Sequence, residues 1–422
     1  MRIPGYVVTD HTVPVPLDHA DPGGPIIDVF VREVVDPVLA RESLPWLLYL
    51  QGGPGGKSPR PTGKSPDWLA RALRTHRVLL LDQRGTGRST PLSARAAARF
   101  GSAEELAEYL RHFRADAIVA DAEIVRQRLC GGQPWATLGQ SYGGFITLTY
   151  LSTAPEALTA CYITGGLPGL DATADDVYMR TYPRVREKSV AYYERYPQDV
   201  GRMRRIAELL ASKPVQLPNG DALTTRRLRT LGMALGMGDG AERVHWVLDE
   251  AFDTDGALSD TFLHQVMMLT GFTDNPLFAV LQEACYAQGD TPTGWAAHRA
   301  MTRFPEFDEA AEPLLFTGEM FYPWQCEEIA GLRPFGPAMH LLAARTDWPA
   351  LYDAQRLAAN TVPIAAIVYH DDMYVDAELS LRTARQVANL RTWVSNEWEH
   401  DGLNASASRV LTRLIDIADG KV

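Results

Sequence analysis

The segment Gly139-Gln140-Ser141-Tyr142-Gly143, followed at once by Gly144, is built for nucleophilic chemistry. A serine between glycines, placed where a short apolar run gives way to a helix former, makes a turn that presents its hydroxyl. A Cβ at either glycine would collide with neighbouring backbone. A serine hydroxyl is a weak nucleophile, so it needs a base, and the base needs a carboxylate to orient it. Two later segments supply them in the order Ser, Asp, His: His370-Asp371-Asp372-Met373-Tyr374-Val375 and Asn396-Glu397-Trp398-Glu399-His400-Asp401-Gly402. His400 is the candidate base. Asp371 competes with Asp372 for the orienting role, and Asp372 is preferred because an apolar run follows it directly. Attack on a carbonyl also requires donors for the oxyanion. Gln51-Gly52-Gly53-Pro54-Gly55-Gly56 can turn backbone N–H groups inward, so Gly53 N–H and Tyr142 N–H are the candidate pair. In the neighbouring Asp82–Ser89 segment, Asp82 and Arg84 are read as braces for the loop that carries Gly53.

Each of these groups must stand at the end of a strand. Trp46–Leu50 and Val78–Leu81 are short continuous apolar runs bounded by Gly-rich or charged loops, the pattern of strands buried on both faces of a parallel sheet. Trp135–Leu138 runs straight into Ser141, a helix starts near Tyr142, and Thr159–Ile163 is the next strand. Before them, Val13–Leu17 and Ile26–Val31 flank the turn formers Asp21-Pro22-Gly23-Gly24, which predicts a β-hairpin. Ser102–Leu129 is rich in Ala, Glu and Arg and predicts a helix. From about Asp171 to Trp348 the chain reads as helical, with breaks at Gly201, Pro214–Gly220 and Gly236–Gly240. Alternation resumes with strands at Val362–Tyr369 and Leu390–Val394 and a helix over Ala405–Ala418. This alternation predicts an α/β fold with a mostly parallel sheet. Residues 1–170 and 349–422 form its core, and residues 171–348 form a helical cap over the carboxyl ends of the strands.

Composition narrows the partners. The 422 residues carry 41 Lys+Arg against 52 Asp+Glu, a net charge of −11, which argues against nucleic acid and against anionic membrane surfaces. Apolar residues make up 46% and charged residues 22%, as in folded globular proteins. No apolar run approaches the roughly 20 residues of a membrane span. Cys130, Cys161, Cys285 and Cys326 lack metal or disulfide-framework spacing and are read as buried thiols. With no basic start and apolar run at the N-terminus, the expectation is a cytoplasmic protein. His370 beside two aspartates suggests a metal site, but no HExxH or second His cluster completes it. No metal site is expected from these residues.

QGGPGG, DQRGTGRS, GQSYGG, a long helical cap, HDDMYV and EHDG, in that order, resemble the proline iminopeptidase family of α/β-hydrolases. The likeness spans nearly the whole chain. It implies an α/β-hydrolase fold and a cofactor-free Ser-Asp-His triad that removes N-terminal proline from small peptides with a free amine. Ser141 would be the nucleophile, His400 the general base and acid, and Asp372 the orienter. One departure is Gln51, where the family carries His before the glycines. The resemblance also places amine-binding glutamates in the cap. Glu283 and Glu319, each set among apolar and aromatic residues, are the candidates, with Glu397 and Glu399 as rivals beside His400. Phe278, Tyr286, Phe321, Tyr322 and Trp324 are candidate walls for a proline ring. A carboxylesterase or lactonase on the same triad is the alternative activity, and a ligand-binding module without catalysis is the third.

Overall fold

The structure, a computed structural model, describes residues 2–63 and 66–422. Among these residues nine strands run in chain order as β1 (Arg2–Ile3), β2 (Tyr6–Pro16), β3 (Ile26–Val35), β4 (Trp46–Leu50), β5 (Arg77–Leu81), β6 (Trp135–Gln140), β7 (Leu158–Thr164), β8 (Ile364–Tyr369) and β9 (Leu390–Ser395). They form one sheet in the order β1-β2-β3-β5-β4-β6-β7-β8-β9. The first four in that order pair antiparallel, and every pair from β5 onward is parallel. The hairpin expected at the start is β2–β3, in register with Val13 opposite Val29.

The continuous apolar runs have a direct physical cause. Along β4, Leu48 and Leu50 enter one hydrophobic core while Leu47 and Tyr49 enter a second on the opposite face. In β8, Ile364, Ala366 and Val368 point one way and Ala365, Ile367 and Tyr369 the other. With helices on both faces no position is left for a polar residue, so the period-two alternation of a half-exposed strand disappears. The first core lies under helices Ala115–Cys130 and Tyr142–Thr153, and the second under the helix Arg409–Ala418.

Between β7 and β8 the described residues contain helices, turns and isolated bridges but no strand of the sheet. The segment opens on the helix Ala174–Arg195, capped by reciprocal hydrogen bonds between Thr173 and Asp176. The break placed at Gly201 is not there. Gly201 lies inside the helix Gln198–Ser212 with open space around it, and the chain turns earlier, at Tyr196-Pro197. The single helix expected over Ser102–Leu129 is two, Ala103–Leu110 and Ala115–Cys130, parted where Phe113 and Arg114 are drawn into the interior. The terminal helix is likewise divided at Ala407 and Ser408, both at positive φ. All four cysteines are buried and unpaired. No helix among the described residues is long and apolar enough to cross a membrane.

Candidate active site

β6 ends at Gln140, and the chain reverses at Ser141 with φ +56° and ψ −124° before entering the helix Tyr142–Thr153. That backbone is unfavourable for any side-chain-bearing residue and holds only because its surroundings fix it. The Ser141 N–H donates to Thr164 O at 2.9 Å, and the Gly144 N–H donates to Ser141 O at 2.7 Å. The glycines let the turn close. A Cβ on Gly143 would lie 2.0 Å from Leu50 O, and one on Gly144 would lie 2.2 Å from Gly166 O.

His400 and Asp372 come from the loops after β9 and β8. His400 Nδ1 lies 2.7 Å from Asp372 Oδ2, with both side chains buried. The other carboxylate oxygen accepts the N–H groups of Tyr374 (2.8 Å) and Val375 (3.1 Å). Asp372 is thus aimed by its own loop, and the His400 ring is left with Nε2 free to accept a proton. Asp371 is not in this network. It is half exposed and pairs with its neighbour His370. Tyr374, which the sequence did not single out, packs edge-on to His400 with ring centres 4.8 Å apart, and its hydroxyl donates to Met233 O. Ser141 and His400 meet the same dipeptide: a Cβ on Gly165 would lie 3.1 Å from His400 Nδ1, and one on Gly166 would lie 2.3 Å from Ser141 O.

The glycine loop after β4 lies alongside. A Cβ on Gly52 would lie 2.6 Å from Ser141 Cβ. Among the described residues, no backbone carbonyl outside regular elements takes the N–H of Gly53 or Tyr142. Tyr142 opens its helix, where N–H groups have no partner within the helix. Gln51 bridges Tyr49 Oη, which donates to its Oε1 at 2.9 Å, and Gln140 Oε1, which accepts from its Nε2 at 3.0 Å. It therefore ties the loop to the residue before Ser141. The run ends in Gly56-Lys57-Ser58, as a phosphate loop would, yet Ser58 is buried and its hydroxyl donates to Leu81 O at 2.6 Å.

The bracing of this loop is only half as expected. Asp82 accepts from Ser58 N (3.1 Å) and from Arg60 Nη1 (2.8 Å), so it does hold the loop. Arg84 does not. Its guanidinium grips Asp121, at 2.7 Å from Nε and 2.5 Å from Nη2, and caps Leu17 O and His112 O. The brace is Gln83, whose Nε2 donates to Gln51 O at 2.5 Å. Consecutive residues leaving a strand point to opposite faces, and sequence alone does not say which of Gln83 and Arg84 faces the loop.

The four candidate glutamates separate cleanly. Glu283 is buried, and its Oε1 accepts the Ala297 N–H at 3.0 Å. Burial pushes its carboxyl up to about 7 against the pull of backbone N–H donors from Ala297 and Ala296. Glu319 is only partly buried, and among the described residues its one side-chain hydrogen bond comes from Gln282 Nε2 at 2.5 Å. Desolvation pushes it, too, up to about 7, while the charge of His400 draws it down. Glu399 is ion-paired with Lys188 at 2.5 Å, and Glu397 is exposed and paired with Arg409 at 2.8 Å. For His400, burial works to lower its affinity for a proton, but the charge and hydrogen bond of Asp372, helped by Glu319, leave it raised above the ordinary histidine value.

Of the candidate ring-binding aromatics, Phe278 and Phe321 pack together with ring centres 5.3 Å apart. A Cβ on Gly55 would lie 3.0 Å from Phe278 N, so this pair abuts the glycine loop. Tyr286 stands 5.8 Å from Phe145 of the helix Tyr142–Thr153 that follows Ser141. Tyr322 and Trp324 stack on each other inside the helical segment, Tyr322 against Tyr182 and Trp324 beneath Arg226. Among the described residues no group of three His, Cys, Asp or Glu is disposed to hold a metal ion.

A family model described as alpha/beta hydrolase fold matches residues 45–204. The chain is 44% identical over 407 residues to the proline iminopeptidase of Aeromonas sobria, covering 96% of this chain and 95% of that one. It is 35% identical over 421 residues to the proline iminopeptidase aneH of Aspergillus aculeatus, covering 97% and 93%. A shorter match, 33% over 121 residues, joins it to the proline iminopeptidase of Neisseria gonorrhoeae, covering 28% of this chain and 32% of that one. Identity of this degree along almost the full length of two relatives, on a sheet ordered in this way, means that the chain belongs to the proline iminopeptidase family of α/β-hydrolases.

Proposed function

We propose that the protein is a serine aminopeptidase that releases N-terminal proline, or another small apolar residue, from short peptides through an acyl-enzyme. The observation that carries this reading is a partly open carboxylate, Glu319, beside a buried His400–Asp372 pair. An esterase has no use for a desolvated negative charge next to its base. An aminopeptidase needs one to hold the ammonium of its substrate.

The chemistry follows from the atoms. Ser141 Oγ attacks the carbonyl carbon while His400 Nε2 takes its proton, and Asp372 stabilises the resulting imidazolium through Nδ1–H. The oxyanion lies between the N–H groups of Gly53 and Tyr142. As the C–N bond breaks, His400 returns the proton to the leaving amine. Water, deprotonated by the same nitrogen, then attacks the acyl carbon and regenerates the Ser141 hydroxyl. Glu319 holds the two N–H groups of the prolyl ammonium, with Phe278 and Phe321 as the nearest apolar wall. Glu283 plays no part, because its carboxylate is occupied by the backbone of its own fold. Residues 171–348 serve as the cap, and four unpaired thiols suit a cytoplasmic setting.

The test compares proline p-nitroanilide with its N-acetylated form, using the wild type and Ser141→Ala. Turnover of the free amine alone, lost in the variant, is the expected result. Equal rates on both substrates, or hydrolysis of simple p-nitrophenyl esters only, would leave the carboxylesterase or lactonase.

A further inference from the structure

Away from Ser141, four arginines meet on one groove of about 580 Å³, between the helix Asp67–Ala72, the helix Arg409–Ala418 and the edge strand β9. They are Arg71, Arg74, Arg409 and Arg413, and Trp393 and Trp398 form part of the same walls. In a chain of net charge −11, such a concentration of guanidinium groups is out of keeping with the average surface. Two carboxylates, Glu397 and Asp416, share the lining and offset part of that charge. Glu397 pairs with Arg409 at 2.8 Å, and Asp416 lies 3.9 Å from Lys421. Arg71, Arg74 and Arg413 make no ion pair with any carboxylate among the described residues. Arg71 donates only to Thr412 Oγ1, at 3.2 Å.

Two of the guanidiniums are already oriented. Arg413 lies over the Trp393 ring at 4.7 Å, and Arg409 lies over Trp398 at 4.8 Å. Stacking occupies the face of a guanidinium and leaves the N–H donors at its edge in a fixed plane, the arrangement that takes an oxyanion through paired hydrogen bonds; at Arg409 two of those donors already serve Glu397 Oε1 (2.8 Å) and Ser406 O (3.4 Å). The volume suits a small molecule rather than a single ion. We propose that this groove binds a small polyanion with adjacent phosphate groups, of the diphosphate class.

The test is a calorimetric titration of the full chain with pyrophosphate at constant ionic strength, with tryptophan fluorescence followed in parallel. One saturable site with Kd below about 1 mM is expected. Arg74→Ala/Arg413→Ala should weaken it by about tenfold or more, while Tm and the hydrolysis of proline p-nitroanilide stay at wild-type values. Arg413→Lys, which keeps the charge but loses the planar fork, should recover only part of the affinity. Three results would each overturn the proposal: no saturation by about 10 mM, a Kd far weaker than any specific site gives; equal affinity in the double variant; or citrate binding more tightly than pyrophosphate.

Discussion

His400 feels three negative charges, Asp372 through a hydrogen bond, Glu319 across the site and Asp401 next along the chain, and all favour its protonated form. As the base proposed above it must be neutral, so kcat/KM is expected to fall as the pH drops through its raised value. The acid limb is therefore expected above the pH 6.5 or so of an ordinary histidine. Glu319→Gln removes one of those charges, so it should move the limb to lower pH as well as depress turnover of proline p-nitroanilide. A depressed rate with an unmoved limb would mean that Glu319 acts elsewhere. Glu283 predicts a different signature. Its carboxyl stands at about 7 in the folded chain, above the usual range, so the stability linked to its proton is complete in acid and is lost as the pH rises through 7. Glu283→Gln cannot titrate, and its Tm relative to the wild type should be higher at pH 8 than at pH 5. Equal differences at the two pH values would refute that. Asp372→Asn should lower kcat by about 10⁴-fold with little change in KM, because the imidazole loses its orientation while the pocket stays intact. Much of this was legible from residue types: a serine in a glycine turn and an Asp and a His after two later strands are local patterns. Which glutamate stays open was not, because Glu283 is occupied by a backbone N–H contributed 14 positions along the chain.

At the scale of elements, the strands could be read and the loop bracing could not. Strands buried on both faces leave an unbroken apolar run, whereas Gln83 and Arg84 differ only in which way the chain faces on leaving β5. The two should behave oppositely on substitution. Arg84→Ala leaves Asp121 buried without its guanidinium and should cost about 3–5 kcal/mol of stability, measured by urea denaturation, with kcat of the folded enzyme near wild type. Gln83→Ala should cost little stability but lower kcat, since Gln51 O and the loop bearing Gly53 lose their tether. A kcat loss confined to the Arg84 variant would reverse the assignment. Gly143→Ala places a methyl 2.0 Å from Leu50 O, backbone that cannot step aside, and should abolish soluble expression or activity outright. Helix breaks were the least legible feature. Gly201 is tolerated within a helix because nothing approaches it, while the break at Phe113 and Arg114 follows from burial of both side chains, which no local propensity encodes.

For the whole molecule, the relevant fact is that β7 and β8 are hydrogen-bonded neighbours, with Cys161 opposite Ile364, although nearly half the chain separates them. Everything between is an excursion that leaves the sheet and returns to the adjacent slot. It carries Glu319, Phe278 and Phe321, while Ser141, Asp372 and His400 belong to the part that would remain without it. On the function proposed above, bond breaking and choice of substrate therefore fall in separate stretches of the chain. Lengthening, trimming or exchanging the excursion leaves the spacing of the reacting groups untouched. One hydrolytic engine can in this way be refitted for new amines, or for substrates with none, by changes confined to a single insertion.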